Sequence, residues 1–253
     1  MKDLYVLIAM HKNCKYHKNY GYYPIEVGAD MHKESLLNVV KDNTGDNISK
    51  KNDIYCELTG MYWVWKNQEK AKYMGLVHYR RYFVKKINLF KDNNNNILDI
   101  HDIESILNKY AIIIPRPKKK KKGNGRLIKD LPDSKQDKAL IITRDVILKY
   151  APEYINDFNS VTYGDAKVSF GNMFISSGEV FQEYCAWVFN ILSLIEEEYD
   201  IVPPRMLGFI SEYLLYIWVK HKYEPNEIYY CDVINTDDNN FKNWAKCIVY
   251  KFL

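Results

Sequence analysis

His78, Tyr79, Arg80 and Arg81 stand in a row at the end of an apolar run, Tyr73–Phe83, which reads YMGLVHYRRYF. Ligands of open α/β sheets bind at the carboxyl ends of the strands, so this cationic strand end predicts an anion site. Alternation along a strand puts His78 and Arg80 on one side, facing the ligand, and Tyr79 and Arg81 on the other. A second set lies upstream: Asp46, Asn47, Ser49 and Asn52 crowd a polar segment, and side chains of this kind bond either to backbone or to ligand hydroxyls. Asp30 could accept hydrogen bonds from ribose hydroxyls; a turn-stabilising role explains it equally well. Asn172 follows Gly171 at the start of an apolar strand, where backbone can approach a ligand. Glu212 sits amid the apolar helix Met206–Val219, where burial raises a carboxylate's pKa unless a cation is near, Arg205 being one candidate partner.

P-loop, GxGxxG, Gly-x-Ser-x-Gly and metal-type histidine patterns are all missing. What remains, hydroxyl-binding Asp and Asn residues plus a cationic strand end, suits a nucleoside-diphosphate sugar. Its hydroxyls need partners, and its diphosphate gains charge as it leaves; arginine clamps such oxygens and histidine can donate to them.

The elements that must hold these groups follow from periodicity. Leu4–Met10 and Ala111–Pro115 are continuous apolar runs, expected as buried strands, and Asn172–Ser176 is a third strand. Ile54, Leu58, Met61, Tyr62 and Trp65 mark one helix face, with Asn52 or Asp53 as N-cap. Glu57 shares that face and needs a partner, for which Arg80 or Arg81 is the expected candidate. Helices are also expected at Ile103–Tyr110, Ala139–Tyr154, Glu179–Glu198 and about 241–253. The last either docks on the domain or lies on an anionic membrane surface. Arg116–Lys138, with its lysine run Lys118–Lys122, lacks apolar periodicity and reads as a mobile basic loop across one mouth of the site. The expectation is one α/β domain over residues 1–253, with a mixed, mainly parallel central sheet flanked by helices.

Composition narrows the setting. A chain of 253 residues with 47% hydrophobic and 27% charged residues carries a substantial core. Its 22 tyrosines are read mainly as half-buried packing residues. Five scattered cysteines without a CxxC pair point to a reducing compartment. With no signal pattern and no membrane-length apolar run, a cytoplasmic location is expected. Nucleic-acid binding would need a basic stripe with interleaved aromatics. Here 36 basic residues nearly balance 32 acidic ones, and much of the excess sits in one run, so no nucleic-acid partner is expected.

The succession YPIEVGAD, DNTGDNIS followed by KN, YCELTGMYWVWKN, GLVHYRRYF, GNMFISS and RMLGFISEYLL resembles the DUF4422 family of capsular and exopolysaccharide glycosyltransferases, in the correct order over most of the chain. The resemblance implies a GT-A-like (Rossmann-like) fold, a UDP-sugar donor, and galactosyl or galactofuranosyl transfer onto a lipid-linked glycan. The setting would be peripheral, on the inner face of the plasma membrane. Donor binding would fall to Asp30, Asp46, Asn47, Ser49, Asn52, His78, Tyr79, Arg80 and Arg81, and acceptor binding to Asn172 and Arg205. Glu212 is the first choice as the base that takes the acceptor's proton if the reaction inverts, with Asp165 second. Many such folds hold Mn²⁺ or Mg²⁺ with an Asp-x-Asp at this strand end. The chain has no Asp-x-Asp, so no metal ligand is assigned and His78 with Arg80 is expected to stabilise the leaving group; Mn²⁺ or Mg²⁺ as a cofactor stays open. A catalytically silent nucleotide-sugar sensor fits the same residues.

Overall fold

The computed structural model describes residues 2–33, 38–89, 93–118, 133–164 and 167–252, with side chains omitted at 133–137 and 249–252. Eight strands form one mixed sheet: β1 Leu4–Met10, β2 Tyr22–Glu26, β3 Val40–Lys41, β4 Tyr73–His78, β5 Arg81–Val84, β6 Ile112–Pro115, β7 Phe174–Ser177 and β8 Ile228–Asn235. Every residue of β1 is buried. The reason is that both sheet faces are covered: Tyr5, Leu7 and Ala9 enter one apolar cluster and Leu4, Val6, Ile8 and Met10 enter the other.

The N-terminal half, β3-β2-β1-β4, is parallel throughout, as a Rossmann-like half should be. Beyond β4 the sheet departs from the expected mainly parallel arrangement. Four pairings are parallel (β1–β2, β1–β4, β2–β3, β6–β8) and four antiparallel (β4–β5, β4–β7, β5–β8, β6–β7). Because β4 pairs with both β5 and β7, the strands β4-β5-β8-β6-β7 close into a ring. Gly75 makes the β4–β7 contact feasible: a Cβ there would stand 2.3 Å from the Phe174 carbonyl oxygen. Neither β5 nor β8 carries a run as uniformly apolar as β1, and β8 alternates its buried positions only loosely.

Eight α-helices are described: α1 Asn52–Tyr55, α2 Leu58–Asn67, α3 Ile100–Leu107, α4 Asp133–Tyr150, α5 Ile155–Thr162, α6 Gly178–Glu197, α7 Met206–Lys222 and α8 Asn240–Phe252. The single helix expected from Asp53 onward is thus two, broken at Cys56. There the backbone turns to φ 52°, and Asn52 Nδ2 donates to the Cys56 carbonyl at 2.7 Å. The expected cap at Asn52 or Asp53 is not made; Lys51 occupies that place without a side-chain bond. The expected loop Arg116–Lys138 lies mostly outside the described residues. Of its described ends, Lys118 bridges Val168, and α4 has already begun at Asp133. Among the described residues no helix is long and apolar enough to cross a membrane.

Candidate active site

β4 ends at His78, and the chain reverses through Tyr79–Arg80 into β5, making His78 and Arg81 direct cross-strand partners. Such partners project from the same face. The alternation expected of a continuous strand therefore fails here: His78 goes with Arg81, and Arg80 belongs to the turn. His78 Nε2 lies 2.6 Å from the Gly171 carbonyl oxygen. The Arg81 guanidinium borders the same glycine, 4.0 Å from where a Cβ would stand. Arg80 turns the other way, to Asp237 Oδ2 at 3.1 Å. Tyr79 is buried beneath them, its ring met edge-on by His11 at 5.1 Å and covered by Lys12 at 5.5 Å and Arg80 at 5.4 Å.

Behind this turn lies a carboxylate nest. The break at Cys56 places Glu57 at the start of α2, off the apolar helix face. Its partner is neither Arg80 nor Arg81, as was expected, but Asn172, whose Nδ2 donates to Oε1 at 2.9 Å; His78 Nε2 stands 4.0 Å away. The helix break puts Glu57 at the N-cap of α2, where it meets Asn172 and the His78 side of the hairpin rather than an arginine. Asn172 Nδ2 also reaches Ser211 Oγ at 2.8 Å and the Gly208 carbonyl at 3.2 Å, while its Oδ1 is buried without a partner. Beside it, Glu212 has protein on nearly every side but keeps an opening to a cavity. Burial, reinforced by the nearby Glu57 carboxylate, raises its pKa to about 7 against the pull of Arg81, the Gly171 backbone N–H and Arg205.

Among the described residues three non-glycine positions have positive φ, namely Cys56 at 52°, Asn172 at 51° and Arg205 at 64°, and all three belong to this nest. Each such conformation costs about 1–2 kcal/mol, so the surrounding packing must enforce it. Gly208 supplies part of that packing, since a Cβ on it would stand 2.9 Å from Cys56 Sγ. The Arg205 backbone N–H donates to the Asp53 carbonyl at 2.6 Å and anchors the start of α7 against α1. Burial, aided by Glu57, pushes the Cys56 thiol up to about 12 despite Arg205, so it is held as a neutral thiol.

The rim at the C-terminal ends of β1 and β4 is cationic. His11, immediately after β1, has its pKa lowered first by burial and then by Lys12, Arg80, His78 and Arg205. Arg205, expected on the acceptor side, thus also contributes to this rim. His11 and Lys12 were not singled out from sequence, although the break of an apolar strand into His-Lys was a usable signal.

The upstream polar residues are largely committed to one another. Asp42 accepts from Gly28 N at 2.8 Å, Ala29 N at 3.1 Å and Ser49 Oγ at 2.6 Å. Ser49 is buried and also accepts from Asp30 N, while Asn47 Oδ1 accepts from Ser49 N at 3.1 Å. Asp46 meets Tyr62 OH at 3.1 Å, and Asn52 bonds the Cys56 carbonyl and Thr59. Asp30, exposed, keeps a carboxylate that among the described residues is bonded only to Asn43 Nδ2, at 2.9 Å, so of this set it is the most open to an added hydroxyl. Asp165 lies outside the described residues.

Divalent Mn²⁺ and Mg²⁺ prefer oxygen ligands. The strand end where the resemblance places a metal-binding pair presents His78, Tyr79, Arg80 and Arg81, with Asp237 already on Arg80. Among the described residues no group of three His, Cys, Asp or Glu gathers as a metal site. These residues do not fit a held divalent cation.

A parallel half-sheet joined to a mixed ring is a fold also seen in a glycosyltransferase structure. The WbbM bifunctional glycosyltransferase, in its apo form, matches with a TM-score of 0.77 and 24% identity, over 94% of this chain and 46% of that one, so the chain spans about half the length of that protein. The chain belongs to the DUF4422 family, described as a domain of unknown function, whose pattern matches residues 5–223. No curated protein matches it.

Proposed function

We propose that the chain is a glycosyltransferase that takes a sugar from a UDP-sugar, galactose or galactofuranose being favoured by the family resemblance. It passes the sugar to a hydroxyl of a lipid-linked glycan in capsule or exopolysaccharide synthesis, at the inner face of the plasma membrane. The observation that carries this reading is the convergence of Lys12, Arg80, His78 and Arg205 on His11 at the ends of β1 and β4, beside a carboxylate, Glu212, poised at about 7. Cations placed where charge develops on a leaving diphosphate lower the barrier more than they strengthen ground-state binding. Glu212, protonated and unprotonated in comparable amounts near neutral pH, is matched to general-base work. In an inverting transfer it removes the acceptor hydroxyl's proton as the new bond to the anomeric carbon forms and the bond to the diphosphate breaks. A neutral His78 that donates Nε2–H to Gly171 presents only an acceptor at Nδ1. Its contribution to the diphosphate therefore calls for a second proton, at Nδ1.

The test is a screen of UDP-sugars by thermal stabilisation, followed by donor hydrolysis. A ligand at 100 times its Kd adds about 2.7 kcal/mol, which for a chain of this size raises Tm by roughly 5–10 °C. One UDP-sugar should stand out and be cleaved. Stabilisation without cleavage under any acceptor would leave a sensor, and no stabilisation would remove the nucleotide-sugar reading. Cleavage should survive EDTA; loss with EDTA and recovery with Mn²⁺ would overturn the cationic account of the leaving group.

A further inference from the structure

The loop that joins β1 to β2, residues 11–21, carries Lys12, Lys15 and Lys18 together with His11 and His17. From Leu4 to Ile25 the chain has no aspartate or glutamate, so this charge has no local counter-charge. The fold does not bring one either: among the described residues no carboxylate pairs with Lys12, Lys15 or Lys18. All three lysines are exposed, and Lys12 and Lys18 lie over the rings of Tyr79 and Tyr16 at 5.5 and 5.7 Å. Tyr20, at the far end of the loop, is 62% exposed. The loop walls a cleft of about 510 Å³ against the Tyr79–Arg80 turn and Thr236–Asp237. Asp237 is the one acidic side chain lining that cleft, and Arg80 already holds it at 3.1 Å.

The basic helix α8 is built differently. It is tied to β8 through Asn243, whose Oδ1 accepts from Asn235 N at 2.9 Å and whose Nδ2 donates to the Asn235 carbonyl at 3.0 Å. Lys242 and Lys246 are both held by Asp238. Of these two surfaces the loop is the one with positive charge left over. Exposed lysines with a tyrosine among them fit a surface that offers many phosphates at one level. Anionic lipid headgroups attract such lysines, and tyrosine favours the depth at which headgroup meets acyl chain.

Resting on the transferase reading above, which draws the acceptor from a lipid carrier, we infer that the β1–β2 loop seats the chain on an anionic membrane surface, with Lys15 and Lys18 against the lipid phosphates. The rim begins at His11 and Lys12 in the same loop, so docking this face sets the proposed donor site beside the bilayer that carries the acceptor.

The chain is sedimented with vesicles of phosphatidylglycerol and phosphatidylcholine in equal parts, and with pure phosphatidylcholine vesicles as control. It should bind the anionic vesicles, leave the neutral ones, and come off as NaCl is raised. Lys15→Gln combined with Lys18→Gln should weaken vesicle binding by roughly 25-fold, about fivefold for each lysine, whereas Lys15→Arg with Lys18→Arg should keep it. Both lysines are exposed and unpaired, so Tm and the thermal stabilisation by UDP should stay at the wild-type values in either double variant. Equal binding to neutral vesicles, or full binding by the double glutamine variant, would overturn the inference. So would loss of binding in Phe241→Ser instead, which would put the contact on α8. Vesicles displaced by saturating UDP would assign these lysines to the donor, and tighter binding of oligothymidylate than of vesicles would assign them to nucleic acid. Vesicle binding needs no turnover, so the two readings fail separately. A chain that docks through Lys15 and Lys18 but cleaves no UDP-sugar defeats the transferase proposal, whereas transfer to a soluble acceptor by a chain that binds no vesicles defeats only this one.

Discussion

The rim formed by His11, Lys12, Arg80 and Arg205 and the nest formed by Glu57, Asn172, Ser211 and Glu212 meet at His78 and Arg205, yet they are built on opposite physical terms. The rim stands at strand ends and is largely open to water. Its charges act on one another through a screened medium, and the Arg80–Asp237 ion pair has side chains 38% and 58% exposed. The nest is enclosed, hydrogen-bonded through a single amide, and held by three strained backbone positions. Placing charge at an open rim costs the fold little and yields an anion site that salt can weaken. Enclosing a carboxylate is costly, and that cost is what tunes Glu212 into the range where it can exchange a proton. On the transferase proposal, binding and proton transfer fall to different environments, and they should respond differently to substitution, salt and pH.

The most severe break in that division is Glu212→Gln. It should lower transfer by about 10²–10⁴-fold, the usual range for a lost general base, while the thermal stabilisation by UDP stays at the wild-type value. Wild-type turnover in this variant would remove Glu212 from the chemistry and reduce the nest to a structural device.

Asn172→Ala follows in size, with stability as its readout. The substitution takes the amide donor from Glu57 and Ser211 and leaves a Cβ residue at φ 51°. Unsatisfied buried acceptors cost about 1–3 kcal/mol while the left-handed strain already present at Asn172 is kept, so a Tm drop of roughly 2–12 °C is expected. Asn172→Gly, which relieves the backbone but not the hydrogen bonds, should recover part of it. Equal Tm values for the two variants would show that the backbone carries none of the strain.

How much of this division can be read in the sequence differs between the two regions. β1 was legible from end to end because a strand buried on both faces needs only apolar residues, and α6 and α7 were legible because long helices repeat their pattern many times. Glu212 was legible as a charge where helix burial allows none. The pairing of His78 with Arg81 was not, because HYRR contains none of the glycine or asparagine that ordinarily marks a two-residue hairpin, so a turn looked like strand. β8 was missed for a related reason: its polar Tyr229, Tyr230 and Asp232 interrupt the alternation, since part of the strand lines a cavity. Cys56 and Asn172 carry strain imposed by contacts far along the chain, chiefly with α7, and no local window contains those contacts.

The pH dependence gives the next effect in size and sets stability against activity. Glu212 has a folded-state pKa raised from 4.5 to about 7. A group raised on folding contributes its full stability below the unfolded value and loses it as pH climbs through the folded one. Stability should therefore fall between about pH 4.5 and 7, by up to about 3 kcal/mol for this group, whereas transfer should rise over the upper part of that window as the base ionises. Denaturant titrations across pH should show the slope in the wild type and lose most of it in Glu212→Gln. An unchanged slope in the variant would place the titration elsewhere.

The smallest expected effect tests the rim, and its smallness in stability is the point. Arg80→Gln breaks an exposed pair with Asp237, so the fold should lose less than about 1 kcal/mol. UDP affinity should fall about tenfold, near 1.4 kcal/mol, with a shallower dependence on NaCl than in the wild type because one cation fewer meets the diphosphate. Calorimetric titration of UDP at low and high NaCl reads both quantities. A variant that loses stability but binds UDP as before would make Arg80 a clasp for the Asp237 turn. The donor cations would then have to be sought on the Arg81 side of the hairpin, where the distinction between an open binding rim and an enclosed catalytic nest no longer holds.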